Sequence, residues 1–490
     1  MADKSSLPSE QKPHFAKETQ NGNLIISADE TSLRHMLKLA APMIVTHTSY
    51  TIMQFVDRFM VSRLGTEALA AILPAGFVSF VPAGFACGLI ISVNTFVSQS
   101  LGRGEKENCS NYCWQAIYMG LIYSFITLAI LWPAAPTIFK MMGHEPAVAD
   151  MEVIYFRIML YTHIIAVFSW SSSQFFMGIH RPIITMYAIL CGQVVNVAAN
   201  YVLIFGELGF PPMGIAGAGW GTFIGIAVSV GIIMTMFLSK NINATYRSRR
   251  TLNIDLLKIG DLLKVGLPAG LELMLNVAFW GMILFWLVGG FGKEAMAATS
   301  AVLSCTHVSV MPVVGLSTAL TAAIGKTIGR GRKDVAVKQA SVCLKVALAY
   351  MGLVGVCFFI FRNAIMRFWA PDDNTVMETG ANLLILAAIY QVFHAARIIY
   401  GGSLRGAGDT VWLAIVSALG AVVILGLGGL LIVKLFWSIG PIGPWLAATF
   451  SIIAVGLANR WRFKSNIWMR IDLFKRRAVG VPVEIGATVE

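Results

Sequence analysis

The chain has 490 residues, of which 57% are hydrophobic and 13% are charged, whereas soluble globular proteins carry about 25% charged residues. This composition and a mean hydropathy of +0.71 exclude a soluble domain and predict a protein that lies in a lipid bilayer. The net charge of +12 is also compatible with a nucleic-acid-binding protein, so the positions of the basic residues have to decide.

Long apolar segments follow one another along the chain, each near the roughly 20 residues with which an α-helix crosses the hydrocarbon core. A membrane interior offers no water to backbone N–H and C=O groups, so these segments are predicted to be helices. The predicted spans are 34–62, 68–100, 112–142, 148–178, 183–206, 214–239, 259–290, 295–328, 336–368, 373–404, 410–436 and 441–465.

The basic residues collect on one side of these spans. They lie in both tails and in the even-numbered loops, which the positive-inside rule assigns to the cytoplasm. Examples are Lys12, Arg34, Arg103, Lys106, Arg247, Arg250, Arg330, Lys333, Arg470 and Arg477. The positive charge therefore indicates membrane topology and no nucleic-acid partner. It predicts a multi-pass protein of the inner (cytoplasmic) membrane with both termini in the cytoplasm.

Five regions are predicted along the chain. Residues 1–33 are polar and lack the apolar core of a signal peptide, so we expect a disordered cytoplasmic N-terminal tail. An N-lobe covers residues 34–240, a basic cytoplasmic linker residues 241–258, and a C-lobe residues 259–465. The cytoplasmic C-terminal tail covers residues 466–490.

The two halves of the chain repeat one another. LGTEALAA at 64–71 matches FGKEAMAA at 291–298, and LGRGEK at 101–106 matches IGRGRK at 328–333. Both matches have an offset of 227 residues (291 minus 64, and 328 minus 101). An even number of helices in each half makes both halves enter the membrane from the same side. The predicted fold is all-α and polytopic, with twelve transmembrane helices in two pseudo-symmetric six-helix lobes around a central cleft.

Two prolines occupy equivalent places inside the first helix of each half. They are Pro42 and Pro268, and a proline inside a helix bends it. Such a bend serves either as a gate or as a static packing kink, and the sequence leaves both interpretations open.

Polar groups inside a membrane are costly and are therefore candidates for function. In the first half, Asp57 follows a mostly apolar stretch. A salt bridge to Arg58 is the structural alternative to a cation-binding role. Asn196 and Asn200 are four residues apart, which places them on one face of their helix. These amides serve either the same site or hydrogen bonds between helices.

In the second half the candidates are Glu272, Asn276, His394 and Arg397. Glu272 and Asn276 are one turn apart, and a carboxylate beside an amide can hold a proton or another cation, or else serve helix packing. An imidazole such as that of His394 can change charge near neutral pH. The alternatives are a buried core histidine and, for Arg397, a structural counter-charge.

Signatures of enzymes and of tightly bound cofactors are missing. IGKT at 324–327 lacks the earlier glycine of a phosphate-binding loop, because that position is Leu320. The seven cysteines show no CxxC pair, and no zinc-protease or serine-hydrolase motif is present. We therefore expect no enzyme, no cofactor and no tightly bound metal, and an energy source in an ion gradient or a separate subunit.

Several segments together resemble the multidrug and toxic compound extrusion (MATE) family, of the NorM type and within the MOP superfamily. They are LKLAAP at 37–42, VDRFMVSRLGTEALAA at 56–71, VNTFVSQSLGRGE at 93–105, NVAANYVLIFG at 196–206, GKEAMAA at 292–298 and GGSLRGAGDT at 401–410. The resemblance implies export of cationic, often amphipathic compounds in exchange for H⁺ or Na⁺. It also implies that Asp57 binds the coupling cation in the N-lobe, helped by Asn196, Asn200 and Thr222.

The C-lobe departs from the family pattern. The helix 7 glutamate of the NorM type would stand eight residues after Pro268, where this chain has Asn276, and the acid expected twelve residues before Gly406 is His394. This replacement favours H⁺ over Na⁺ as the coupling ion. The expected function is a monomeric multidrug efflux antiporter that works by alternating access. The alternative is a flippase for a lipid-linked precursor, from the same superfamily.

Overall fold

The computed structural model describes residues 19–20, 23–24, 30–371 and 373–474, and side chains from residue 30 onward except those of residues 278–283 and 285. Most of the two predicted tails, 1–33 and 466–490, lies outside the described residues. Two short antiparallel strands, β1 Thr19–Gln20 and β2 Asn23–Leu24, precede the helices.

Nearly all other described residues are helical. The first half contains α1 Leu33–Ser62, α2 Thr66–Arg103, α3 Lys106–Met141, α4 Pro146–Gly178, α5 Pro182–Phe205, α6 Gly214–Phe237 and the short α7 Lys240–Tyr246. The second half contains α8 Leu256–Gly289, α9 Lys293–Gly329, α10 Lys333–Trp369, α11 Asn374–Ala407, α12 Thr410–Leu419, a π-helical segment Gly420–Gly428, α13 Gly429–Leu435 and α14 Ile442–Lys464.

These helices confirm the predicted fold class. Each predicted span corresponds to one long helix, with ends that differ by a few residues, and α12, the π-helical segment and α13 together form one span. Ten helices in the described part of the chain are long and apolar enough to cross a membrane. The first helices of the two halves, α1 and α8, which carry the acids Asp57 and Glu272, complete the twelve.

The repeat seen in the sequence is also present in three dimensions. Gly88 of α2 packs on the backbone of Ala269 in α8, where an added Cβ would lie 2.5 Å from the carbonyl oxygen. Gly315 of α9 stands 227 residues later (315 minus 88) and packs on Ile44 of α1, where a Cβ would lie 2.6 Å from the backbone nitrogen. Each half thus inserts its second helix against the first helix of the other half, and a glycine permits the close approach.

The two halves meet at one end of the bundle, which we call the basic end. This end holds the α2–α3, α6–α8 and α9–α10 junctions. Two apolar clusters here combine both halves, one including Met43 with Leu320 and the other Phe96 with Val265. Hydrogen bonds also cross between the halves, from Gln99 to the Gly406 carbonyl at 2.9 Å and between His180 and the Ala322 carbonyl at 3.2 Å.

At the opposite end, each apolar cluster belongs to a single half. One is built around Phe139 and Phe156 and the other around Leu287 and Trp445. The halves are therefore joined at the basic end and separate toward the other. A cleft between them that opens away from the basic end is the consequence.

Residues just before α1 and just after α14 form contacts that stabilise the packing of the two halves at the basic end. Glu30, just before α1, lies 3.4 Å from the Lys326 ammonium and 2.9 Å from the Arg330 guanidinium of α9. After α14, the chain crosses to the first half, where Asp472 lies 3.1 Å from Arg103 and the buried Phe474 ring packs against Phe96. Glu30, Asp472 and Phe474 thus belong to the packed bundle.

Candidate functional site

The polar residues of the first half meet between α1, α5 and α6. The Asn200 amide donates to Asp57 Oδ1 at 2.6 Å and lies 3.4 Å from Asn196 Oδ1. The Asn196 amide lies 3.4 Å from Thr222 Oγ1. A continuous hydrogen-bonded chain of four polar side chains therefore ends on one carboxylate.

Asp57 faces this chain of amides and not its neighbour in sequence. Among the described residues, no Lys, Arg or His nitrogen lies within 4.0 Å of its carboxylate, and Arg58 is exposed. The salt bridge considered as an alternative role for Asp57 is thus not formed. A partly buried carboxylate that forms no ion pair is an acceptor for a cation.

Small residues on α6 position the two asparagines. An added Cβ on Gly225 would lie 2.5 Å from the Cβ of Asn196, and one on Gly221 would meet the Asn200 side-chain oxygen. Only glycine leaves room for α6 to pack this closely on α5. The spacing of four residues then directs both amides to the same side of α5.

The polar residues of the second half form a separate cluster between α8 and α11. Both carboxylate oxygens of Glu272 accept from the Arg405 guanidinium, at 2.9 and 3.1 Å. The Arg397 guanidinium donates to Asn276 Oδ1 at 2.7 Å, and the Asn276 amide donates to the Glu272 carbonyl at 3.0 Å. Glu272, Asn276 and Arg397 are thus brought together as a set.

His394 lies near this cluster without joining its hydrogen bonds. Its buried Nδ1 has no hydrogen-bond partner among the described residues, and its ring lies edge-on to Tyr390 with 5.9 Å between centroids. A core histidine that bonds to a neighbouring helix was one predicted role for His394. Its Nδ1 does not form such a hydrogen bond with any described residue.

Arg405 is a site residue that the sequence pattern does not indicate. The predicted span ends at residue 404, one position before it, which places its guanidinium outside the predicted intramembrane charges. The signal was Glu272 itself, because a buried carboxylate requires a partner. With Arg405 bound to both oxygens, Glu272 is not a free carboxylate comparable to Asp57.

Arg157, in the middle of α4, belongs to neither cluster. The Arg157 guanidinium lies 4.0 Å from the centre of the Trp132 ring and donates to the Trp132 carbonyl at 3.3 Å. This cation–π contact is at an exposed position, since Trp132 is 40% exposed. Arg157 and Arg397 therefore do not form one cationic cavity.

Comparisons with known proteins agree on one family. The MatE family model matches residues 42–202 and 268–428, so the two matched segments begin at the two intrahelical prolines. The probable multidrug resistance protein NorM of Mesorhizobium japonicum is 27% identical over 443 residues, covering 87% of this chain and 89% of that protein. The multidrug resistance protein PmpM of Pseudomonas aeruginosa is 26% identical over 382 residues, covering 77% of this chain and 79% of that protein.

A solved structure, described as the outward-facing conformation of a multidrug resistance MATE family transporter of the MOP superfamily, has the same fold. The TM-score is 0.81 at 19% sequence identity, over 92% of this chain and 99% of that one. The similarity covers both halves of the bundle.

Proposed function

Because this chain belongs to the MatE family of transporters, we propose that it is a secondary active antiporter that exports cationic or amphipathic organic compounds. The exported compound is exchanged for H⁺ by alternating access. The transporter resides in the inner membrane with its basic end and both termini in the cytoplasm, and it works as a monomer.

The observation that carries the proposal is the 2.6 Å hydrogen bond from Asn200 to Asp57. It holds a partly buried carboxylate that forms no ion pair, in the wall of one half. A proton and a cationic substrate compete for such a charge, because protonation removes its attraction for the substrate. Binding one therefore releases the other, which is the coupling that an antiporter needs.

The polar residues of the second half support H⁺ over Na⁺. Asn276 and His394 stand at the positions where the family pattern has acids, and the Glu272 carboxylate is engaged by Arg405. Few oxygen ligands therefore remain there for Na⁺, a hard cation that needs them.

The closed basic end supports alternating access. In this conformation the halves pack together at the basic end and separate opposite, so the cleft is open to the far side of the membrane. Pro42 lies in α1, on the cytoplasmic side of Asp57, and Pro268 lies one turn before Glu272 in α8. Bending at these prolines is the proposed gate movement between the two conformations.

Everted membrane vesicles test the coupling ion. Efflux of a cationic dye is expected to follow the proton gradient and to be lost in Asp57→Asn, while Glu67→Gln, an exposed acid of α2, behaves as wild type. Efflux that collapses with the Na⁺ gradient and ignores the proton gradient would exclude the proton. Coupled efflux retained in Asp57→Asn would remove Asp57 from the mechanism.

The alternative function, a flippase for a lipid-linked precursor, requires a strongly cationic central cavity. Arg157 is engaged with Trp132 and Arg405 with Glu272. Of these three described arginines, only Arg397 lacks such an engagement, which favours the antiporter.

A further inference from the structure

The cluster in the second half carries more positive than negative charge. It contains one carboxylate, Glu272, and two guanidinium groups, Arg397 and Arg405. An unneutralised cation inside a bundle is costly unless a counter-charge or water reaches it.

Arg397 is the guanidinium of this cluster that forms no ion pair. Glu272 is engaged by Arg405 through both oxygens. Among the described residues, no carboxylate oxygen lies within 4.0 Å of Arg397, and its hydrogen bond goes to the neutral amide of Asn276. A guanidinium has five N–H donors, so most of those of Arg397 remain available to a ligand.

A second polar group beside Arg397 also lacks a partner. His394 stands three residues earlier in α11, on the same face, and its buried Nδ1 has no hydrogen-bond partner among the described residues. A neutral imidazole can donate one hydrogen bond to an anion. The two side chains together offer donors from adjacent turns of one helix.

The cluster lies at the closed end of the cleft. Thr95 of α2 donates to the Arg405 carbonyl at 2.9 Å, which places α11 beside the junction of the halves. Arg397 stands eight residues before Arg405, about 12 Å farther from the basic end along the helix. Arg397 is partly exposed and 29% of the Arg405 side chain is exposed, so a ligand can reach both guanidinium groups.

We propose that Arg397 binds a carboxylate group of the transported compound, with His394 as a second donor. A guanidinium and a carboxylate form two parallel, charge-assisted hydrogen bonds, which select this group over a neutral ester. The substrate class is then zwitterionic amphiphiles, with the positive group directed to the Asp57 half and the carboxylate to the Arg397 half. This inference rests on the proposed function for the identity of the transported compound.

The test uses one xanthene dye in two forms, the free carboxylic acid and its methyl ester. Binding of each to the purified full-length protein is measured by fluorescence anisotropy, and efflux of each is measured in vesicles. Wild type is expected to bind the free acid about tenfold more tightly than the ester. Arg397→Gln should abolish that difference and leave ester binding unchanged, and Arg397→Lys should restore part of it.

Arg362→Gln serves as a matched control, since the Arg362 guanidinium donates to a carbonyl of its own helix at an exposed position. Equal binding of acid and ester by wild type, or equal loss of both in Arg397→Gln, would overturn the carboxylate site. If chloride competes with dye binding and the protein shows no preference between the two dyes, Arg397 belongs to an inorganic anion site. That result would also overturn the carboxylate site. A preference in binding without efflux of either dye would preserve the site and contradict the proposed antiport.

Discussion

Gly102 of α2 and Gly329 of α9, which are 227 residues apart (329 minus 102), touch each other where the two halves meet at the basic end. A Cβ added to Gly102 would lie 2.9 Å from the Gly329 Cα, and one added to Gly329 would lie 3.0 Å from the Gly102 Cα. Equivalent positions of a duplicated sequence thus meet at the pseudo-twofold axis. The closed conformation depends on the absence of side chains at this point.

Gly102→Ala is therefore expected to destabilise the closed basic end. Overpacking costs about 1–3 kcal/mol, which shifts a two-state equilibrium about fivefold or more toward the open conformation. Dye efflux should fall, and the distance between spin labels at Asn241 and Lys338, both exposed near the basic end, should lengthen. Gly76→Ala, in the same helix with open space around it, is the control. An unchanged distance in Gly102→Ala would contradict the closure argument.

Asn200→Leu should uncouple efflux from the ion gradient. The substitution removes the hydrogen bond to Asp57, and a hydrogen bond to a charged group contributes about 1.5–3 kcal/mol. When substrate is added to the purified Asn200→Leu protein, proton release should be at least about tenfold smaller than in wild type. Asn241→Leu, an exposed asparagine of α7, should release protons as wild type does. Normal proton release in Asn200→Leu would show that Asp57 acts without its amide.

The Glu272–Arg405 pair predicts a pattern in thermal stability. Its carboxylate is buried, with 8% of the side chain exposed, and removing one partner of a buried pair costs about 3 kcal/mol. Glu272→Gln and Arg405→Gln should each lower Tm in detergent, and the double variant should lose less than the sum. Additive losses in Tm would mean that the two side chains do not stabilise one another.

Glu30 gives the closed end a pH dependence. Burial raises the pKa of this carboxyl, but the charges of Lys326 and Arg330 outweigh it and hold the pKa below its ordinary value of 4.5. A lowered pKa in the folded state contributes stability that is present above pH 4.5 and is lost as pH falls through the folded-state pKa. The Asn241–Lys338 label distance should lengthen on acidification below that point.

In Glu30→Gln, the label distance should already be longer at neutral pH and should respond less to acid. Glu294→Gln, an acid in the first turn of α9 at the opposite end of that helix, should keep the wild-type response. The same acid response in Glu30→Gln as in wild type would assign the effect to another group.

The sequence predicted the twelve helices and their duplication because apolar length and repeated motifs are local properties. It also predicted that Asn196 and Asn200 share a face, since a spacing of four residues fixes this. Two features depend on how the helices pack, which local sequence patterns do not contain. Glu272 forms an ion pair with Arg405, whereas Asp57 forms none with Arg58. Which end of the cleft is closed was likewise beyond the sequence, because an alternating-access transporter forms both conformations from the same residues.

The position of Phe474 bears on how the protein is made. Its ring is 4% exposed and packs edge-on against Phe96 and Tyr112 of the first half, so the core of the half that is synthesised first is completed by a residue that is translated after the second half. That half leaves the ribosome with an unfilled apolar gap, which stays open until the whole second half has been inserted. Final consolidation of the first half therefore waits for synthesis of the second. A chain interrupted anywhere before residue 474 would retain the gap.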